Sequence, residues 1–262
     1  MRRFDARNLL RGRPAGGPPP VGTYIMSTDP AMTALYGVAG YDFVIIDQEH
    51  GPNDTASTMG HIRAADANGV TPLVRILENR PTLIQKNLDL GAQGIVVPKV
   101  NTATDARRAV EASQYAPRGR GACAAVEGAR WTSDWDEYAS NANNGVVVIP
   151  IIETAEAIDN FADIVAVDGV EFVLIGFFDL AQDMGLDKAS ASGRLADIWA
   201  TCQSLGHGQG VRVGGSVGTD FDRRPDFVTI SCDLSSLLST IKKQRAELVT
   251  TPTPAGVASA PR

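Results

Sequence analysis

Asp42-Phe43-Val44-Ile45-Ile46-Asp47-Gln48-Glu49-His50-Gly51-Pro52-Asn53-Asp54 joins an unbroken apolar run to a cluster of charged and polar residues. Its apolar run, Phe43 to Ile46, does not alternate with polar residues, so it suits a strand buried on both faces. Charge and a Gly-Pro break end the run abruptly. A helical pattern then covers Thr55 to Asn68 and stops at Gly69, a residue suited to the left-handed end of a helix.

The same order recurs along the chain. Apolar, β-branched runs occupy Val21 to Met26, Asp42 to Asp47, Thr71 to Ile76, Gly94 to Pro98, Val146 to Ile152, Glu171 to Gly176, Val211 to Ser216 and Asp226 to Cys232. Helical patterns separate them over Arg80 to Leu90, Thr102 to Tyr115, Thr154 to Val167 and Ser190 to Leu205. Eight such units in order predict an α/β chain folded as a (β/α)8 TIM barrel. Only Gly218 to Pro225 separates the last two runs, so the seventh helix is expected to be shortened. A doubly wound open sheet is the alternative. Ala116 to Asn144 forms a long connection, and such loops are usually functional or contact a partner.

The chain has 262 residues, one barrel's worth or two small domains at roughly 150 residues each. We divide it into an N-terminal extension and loop (1–20), a barrel (21–248) and a Pro-punctuated tail (249–262) expected to be disordered. The net charge of −6 and the absence of a long basic cluster argue against nucleic acid. No apolar run reaches the roughly 18 residues of a membrane span, and no signal-peptide core follows Met1. The three cysteines, Cys123, Cys202 and Cys232, form no paired motif, which points to a reducing, cytoplasmic setting. Cys202 and Cys232 read as packing residues, and Cys123 as an exposed loop residue.

In a barrel, chemistry sits where the strands end at the C-terminal mouth. Those ends carry Asp47, Glu49 and His50 after the second run, Arg75 after the third, Glu153 after the fifth and Asp179 after the sixth. Two carboxylates with room for water, Glu153 and Asp179, suit a hard divalent ion such as magnesium or manganese, and cobalt also fits. Either alone equally well caps a helix; the pair favours metal. A 2-oxo acid chelating that ion would form an enolate, with Arg75 as a second positive group at its oxygen. His50 titrates near neutrality and is read as acid/base, with Asp47 orienting its ring. His61 and His207 are read as surface residues.

At these positions the chain resembles the metal-dependent (class II) pyruvate aldolases of the HpcH/HpaI aldolase/citrate lyase family. The likeness runs from about Asn8 to Leu248. Its most specific segment is Asp42 to Asn53, similar to the family's Asp-Gly-Glu-His-x-Pro-Asn. Pro72 to Arg75, Gly91 to Pro98, Tyr115 to Gly121, Ile152 to Thr154 and Gly176 to Leu180 also match. The resemblance implies a barrel of the phosphoenolpyruvate/pyruvate-binding type and reversible aldol cleavage of a 4-hydroxy-2-oxo acid to pyruvate and an aldehyde. It implies Glu153 and Asp179 as ligands of Mg2+, Mn2+ or Co2+. His50 with Asp47 becomes the acid/base pair, and Arg75 the enolate-stabilising cation. Backbone amides of Phe178 and Asp179 would hold the substrate carboxylate. Family members form trimers of dimers that exchange the last helix, so Asp233 to Leu248 is the candidate for exchange within a homo-oligomer.

Four departures are expected to reshape the pocket. Phe177 and Phe178 stand where the family has Pro and a small residue. Gln48 replaces a Gly, Ile151 a Gln, and Ser216 an apolar residue. The two aromatic rings either fill barrel-top volume or touch substrate. Decarboxylation of oxaloacetate or a specialised carbon–carbon condensation is the alternative activity. A non-catalytic oxo-acid-binding subunit is the alternative of another class.

Overall fold

Eight parallel strands close into a barrel in the order β1 to β8: Val21–Ile25, Phe43–Asp47, Thr71–Arg75, Gly94–Val97, Val147–Ile152, Phe172–Ile175, Arg212–Ser216 and Val228–Cys232. Closure excludes the open-sheet alternative, since β1 pairs with β8 as well as with β2. This computed structural model describes residues 6–12, 17–187, 191–216 and 224–250. The expected shortening of the seventh helix falls on 217–223 and lies outside them.

The helices are α1 (Ala6–Leu10), α2 (Pro30–Val38), α3 (Thr55–Asn68), α4 (Pro81–Asp89), α5 (Ala103–Ser113), α6 (Trp135–Gly145), α7 (Ala155–Asp159), α8 (Phe161–Val165), α9 (Phe177–Asp183), α10 (Ala191–Gly208) and α11 (Asp233–Thr250). Local chemistry accounts for their limits. Asp54 and Ser57 form a reciprocal capping box at the start of α3. Gly69 ends it in the left-handed conformation at φ 71°.

Three expectations change in detail. The pattern over Thr154 to Val167 forms two helices, broken at Asn160, whose side-chain amide turns to the Asn101 carbonyl at 2.9 Å. The long connection after α5 is not all loop, because Trp135–Gly145 folds as α6. Val249 and Thr250, expected in the tail, continue α11, and 251–262 lie outside the described residues.

Side chains alternate between two cores although nearly every strand residue is buried. Val44, Ile46, Val74, Ile95, Val97, Ile152 and Ile175 face the helices, while Phe43, Ile45, Leu73, Val96, Ile149, Ile151, Leu174 and Phe227 fill the barrel. Phe227 meets both Phe43 and Phe172 edge to face at 6.3 Å. Gly22 and Gly214 make room for these rings, since a Cβ at either would lie within 2.5 Å of Phe43 or Phe227.

α1 belongs to this inner core. Ala6 and Leu10 are fully buried with the barrel-lining residues. Arg7 and Arg11 pair with Glu171, just before β6, at 3.1 and 2.5 Å. α1 therefore seats against the end of the barrel opposite its mouth.

Candidate active site

The segment after β2 is shaped by alternation. Asp47 is fully buried and points inward, so the next residue must point out. Gln48 accordingly bonds Thr58 at 2.9 Å and exchanges hydrogen bonds with Asn87 at 2.8 and 3.1 Å. This corrects the expectation that Gln48 reshapes the pocket: it ties α3 to α4. Gly51 is required because a Cβ would stand 2.5 Å from the Asp47 carbonyl. Asn53 donates to the carbonyls of Ile25 and Asp47, both at 3.1 Å, stapling β1 to β2.

Asp47 does not meet the His50 ring. Its carboxylate accepts from Arg75 Nε at 2.9 Å and Nη2 at 2.5 Å, and from the backbone amides of Glu49 and His50. A bidentate guanidinium match is stronger than a single imidazole bond, so Arg75 takes the carboxylate. The His50 side chain is 58% exposed, with Nε2 3.9 Å from Glu49 Oε2. The Arg75 guanidinium also lies 3.3 Å from Glu49 and 4.7 Å from the Tyr24 ring centroid. Burial opposes the Arg75 charge, but the Asp47 hydrogen bonds and the Asp47 and Glu49 charges hold its pKa above the ordinary value. Burial raises the Glu49 pKa, with Arg75 and His50 pulling it down.

Glu153 follows β5 and is 4% exposed. Lys99, in the left-handed region at φ 52°, turns its amide onto Glu153 Oε1 at 2.8 Å. Gly176 gives the carboxylate its space, since a Cβ there would lie 3.0 Å from Oε2. Burial raises the Glu153 pKa; the Lys99 amide lowers it, and the charges of Glu49 and Asp179 raise it further. A cation between Glu153 and Asp179 would relieve that repulsion, so this pair fits a hard divalent ion. Among the described residues no cluster of three or more His, Cys, Asp or Glu side chains is placed to hold a metal. Water and substrate oxygens would have to complete the shell.

β6 ends at Ile175, and Phe177 opens α9 directly, with Gly176 as its cap residue. Gly176 offers no side-chain cap, and the first amides of a helix have no carbonyl partner within it. Those of Phe178 and Asp179 therefore start α9 without an intrahelical bond. The two aromatics divide. Phe177 is 7% exposed and packs on Trp199 at 5.9 Å, whereas Phe178 is 77% exposed at the mouth.

A cavity of about 460 Å3 brings together Tyr24, Arg75, Ile151, Glu153, Phe177, Phe178, Asp179 and Ser216, with Gly176, Ala181 and Leu195 completing the lining. Asp47 lies behind Arg75, and His50 is not on the cavity wall. Tyr24 and Lys99 were not singled out from sequence, and Glu49 was placed at the mouth without a role. Tyr24 had a signal, the inward register of β1 one residue before its end; Lys99 had none, since its role comes from a backbone amide.

The remaining histidines part from expectation in one case. His61 is fully buried in α3, with Nδ1 2.8 Å from Thr33 Oγ1 and Nε2 2.9 Å from the Ser27 carbonyl. It fastens the β1–α2 connection and is not a surface residue. His207 is 43% exposed and pairs with Asp226 at 2.8 Å. Cys202 is buried, Cys232 half-buried and Cys123 exposed. No helix among the described residues is long and apolar enough to cross a membrane.

Known proteins resemble this chain in sequence and fold. The family described as HpcH/HpaI aldolase/citrate lyase matches residues 21–238. A 2-dehydro-3,6-dideoxy-6-sulfogluconate aldolase from Pseudomonas putida is 32% identical over 248 residues, covering 92% of this chain and 97% of the relative. A hydroxypyruvate/pyruvate aldolase from Roseovarius nubinhibens is 32% identical over 247 residues, covering 92% and 96%. The crystal structure of a family protein from Burkholderia cenocepacia J2315 superposes with a TM-score of 0.86 at 28% identity, covering 94% of this chain and all of that one. With this match and the closed barrel, the chain belongs to the HpcH/HpaI aldolase/citrate lyase family.

Proposed function

We propose that the protein is a divalent-metal-dependent carbon–carbon lyase that reversibly cleaves a 4-hydroxy-2-oxo acid to pyruvate, or a related 2-oxo acid, and an aldehyde. One observation carries the reading: Arg75 and the carboxylates Glu153 and Asp179 line a single cavity. The relatives support it, being aldolases by name and matching nearly end to end.

Glu153 and Asp179 would hold the ion, which when bound supplies Lewis-acid charge to the keto oxygen. Arg75, immobilised by Asp47, adds a fixed positive group where negative charge develops as the C3–C4 bond breaks. The amides of Phe178 and Asp179 orient the substrate carboxylate. His50, with Glu49 beside it, takes the proton of the 4-hydroxyl as the aldehyde carbonyl forms, and a proton is returned to C3. Ile151, Phe177 and Leu195 keep water from the inner wall.

His50 stands off the cavity wall, and this favours decarboxylation of an oxaloacetate-type acid as the second reading, because that reaction has no hydroxyl proton to remove. Exposed apolar residues on α11, Leu234, Leu237, Leu238 and Ile241, support the exchange of this helix in a homo-oligomer.

The test is proton NMR of pyruvate in heavy water with magnesium, manganese or cobalt. Metal-dependent loss of the C3 methyl signal is expected, absent in Glu153→Ala and slowed at least about 100-fold in Arg75→Ala. Unchanged exchange in both variants sinks the assignment. Aldehyde release from a 4-hydroxy-2-oxo acid separates the lyase from the decarboxylase.

A further inference from the structure

Among the described residues, Arg75 is the one basic side chain lining the cavity, and most of its donors are committed. Nε and Nη2 go to Asp47 at 2.9 and 2.5 Å, Nη1 faces Glu49 Oε2 at 3.3 Å, and the side chain is only 12% exposed. A guanidinium carries its N–H groups in one fixed plane, so a fork turned onto Asp47 leaves few of them to point at a ligand. The charge of Arg75 reaches the cavity. A directed hydrogen bond is better supplied by a neighbour.

Tyr24 is that neighbour. It lies one residue before the end of β1, packs against the inner core and lines the same cavity as Arg75. The guanidinium carbon sits 4.7 Å from the centroid of its ring, which fixes the two groups against each other. Among the described residues the Tyr24 hydroxyl makes no hydrogen bond, and it is not sealed beneath the cavity wall. Ser216, the other hydroxyl of the lining, is already bonded to the buried Thr229 at 2.9 Å. The remaining side chains of the lining are carboxylates or apolar.

We propose that the Tyr24 hydroxyl is a catalytic hydrogen-bond donor, aimed beside Arg75 at the keto oxygen of the bound 2-oxo acid and bonding more strongly as that oxygen becomes an enolate oxygen. On the lyase reading, on which this rests, that oxygen lies against Arg75. The phenol keeps its proton throughout. Burial pushes it up to about 12, against the pull of Arg75 and with the charges of Asp47, Glu153 and Glu49 in the same direction. A neutral donor already held in place meets developing charge without reorganising, and it adds no further charge to a site crowded with carboxylates.

The test removes only the hydroxyl, since Tyr24→Phe keeps the ring on Arg75. Oxalate is a planar dianion that mimics the enolate of pyruvate. Comparing its affinity with that of pyruvate, by calorimetry on the full chain with magnesium, separates a bond made to developing charge from one made equally to the ground state. Tyr24→Phe is expected to bind oxalate about tenfold more weakly, to keep pyruvate affinity within about twofold, and to slow C3 exchange of pyruvate in heavy water by about 10–100-fold. Unchanged oxalate affinity and unchanged exchange overturn the donor and leave the lyase reading standing. Equal losses for oxalate and pyruvate, with exchange at saturation unchanged, also overturn it, because the hydroxyl then serves binding alone. A selective loss of oxalate affinity in Tyr24→Phe, where the wild type exchanges no C3 proton, upholds the donor and overturns the lyase reading. Failure of the wild type to bind either acid overturns both.

Discussion

Arg75 is half-buried at the end of β3 and His61 is fully buried in α3, and their partners give them opposite characters. Arg75 keeps its charge because a buried carboxylate grips it through two hydrogen bonds. His61 meets a hydroxyl and a carbonyl, an arrangement that suits a neutral ring donating from Nε2 and accepting at Nδ1. Burial lowers its pKa below the ordinary 6.5, against the Ser27 carbonyl and the charges of Asp233 and Asp29. Below about pH 6.5 the unfolded chain therefore binds more protons at this site than the native one, and stability falls as the pH falls through that window. Urea midpoints measured from about pH 7 to pH 5 should decline in the wild type and decline less steeply in His61→Gln. An identical slope in the two proteins would assign the pH dependence to other groups.

At the scale of elements, α1 and α11 stand at opposite extremes of burial. α1 is only five residues long, too short to be stable alone, so its helix exists because Ala6 and Leu10 close the lower core and Glu171 pairs with both arginines. Leu10→Ala should cost about 2–5 kcal/mol in chemical denaturation; a loss near zero would mean that α1 does not seal the core in solution. α11 is anchored at its first residue. Asp233 is fully buried and accepts from the amides of Met26, Ser27 and Leu234 at 2.8 to 3.0 Å. Beyond that anchor, residues 237 to 249 are exposed along the helix.

For the whole molecule, the consequence is an unburied apolar surface. Leu35 and Val38 on α2 and Leu205 on α10 are exposed, as are Leu237, Leu238 and Ile241 on α11. Exposed apolar side chains that recur along one helix, as Leu237, Leu238 and Ile241 do on α11, suit a contact surface. Light scattering should find an oligomer in the wild type and a smaller species in the double variant Leu238→Glu, Ile241→Glu. A monomeric wild type would remove helix exchange from the proposed assembly, while leaving the cavity, which one chain builds from its own strands.

Strand periodicity and helix stops were sufficient to locate all eight strands within one or two residues, because both are local properties of the chain. The candidate residues at the strand ends were legible for the same reason: once a barrel is inferred, its mouth is known. Partnership was not local. Asp47 is only three residues from His50 in sequence, yet it binds Arg75 across the β2–β3 register, where Asp47 and Arg75 are paired directly. The inward or outward choice put Gln48 between helices, and the start of α9 at Phe177 buried one aromatic ring and exposed the next. His61 looks like a helix-surface residue until α2 and the β1–α2 connection close over it. The amino-acid order determined which groups reach the mouth of this barrel, and only closure of the barrel, through strand register and burial, decided which of them touch.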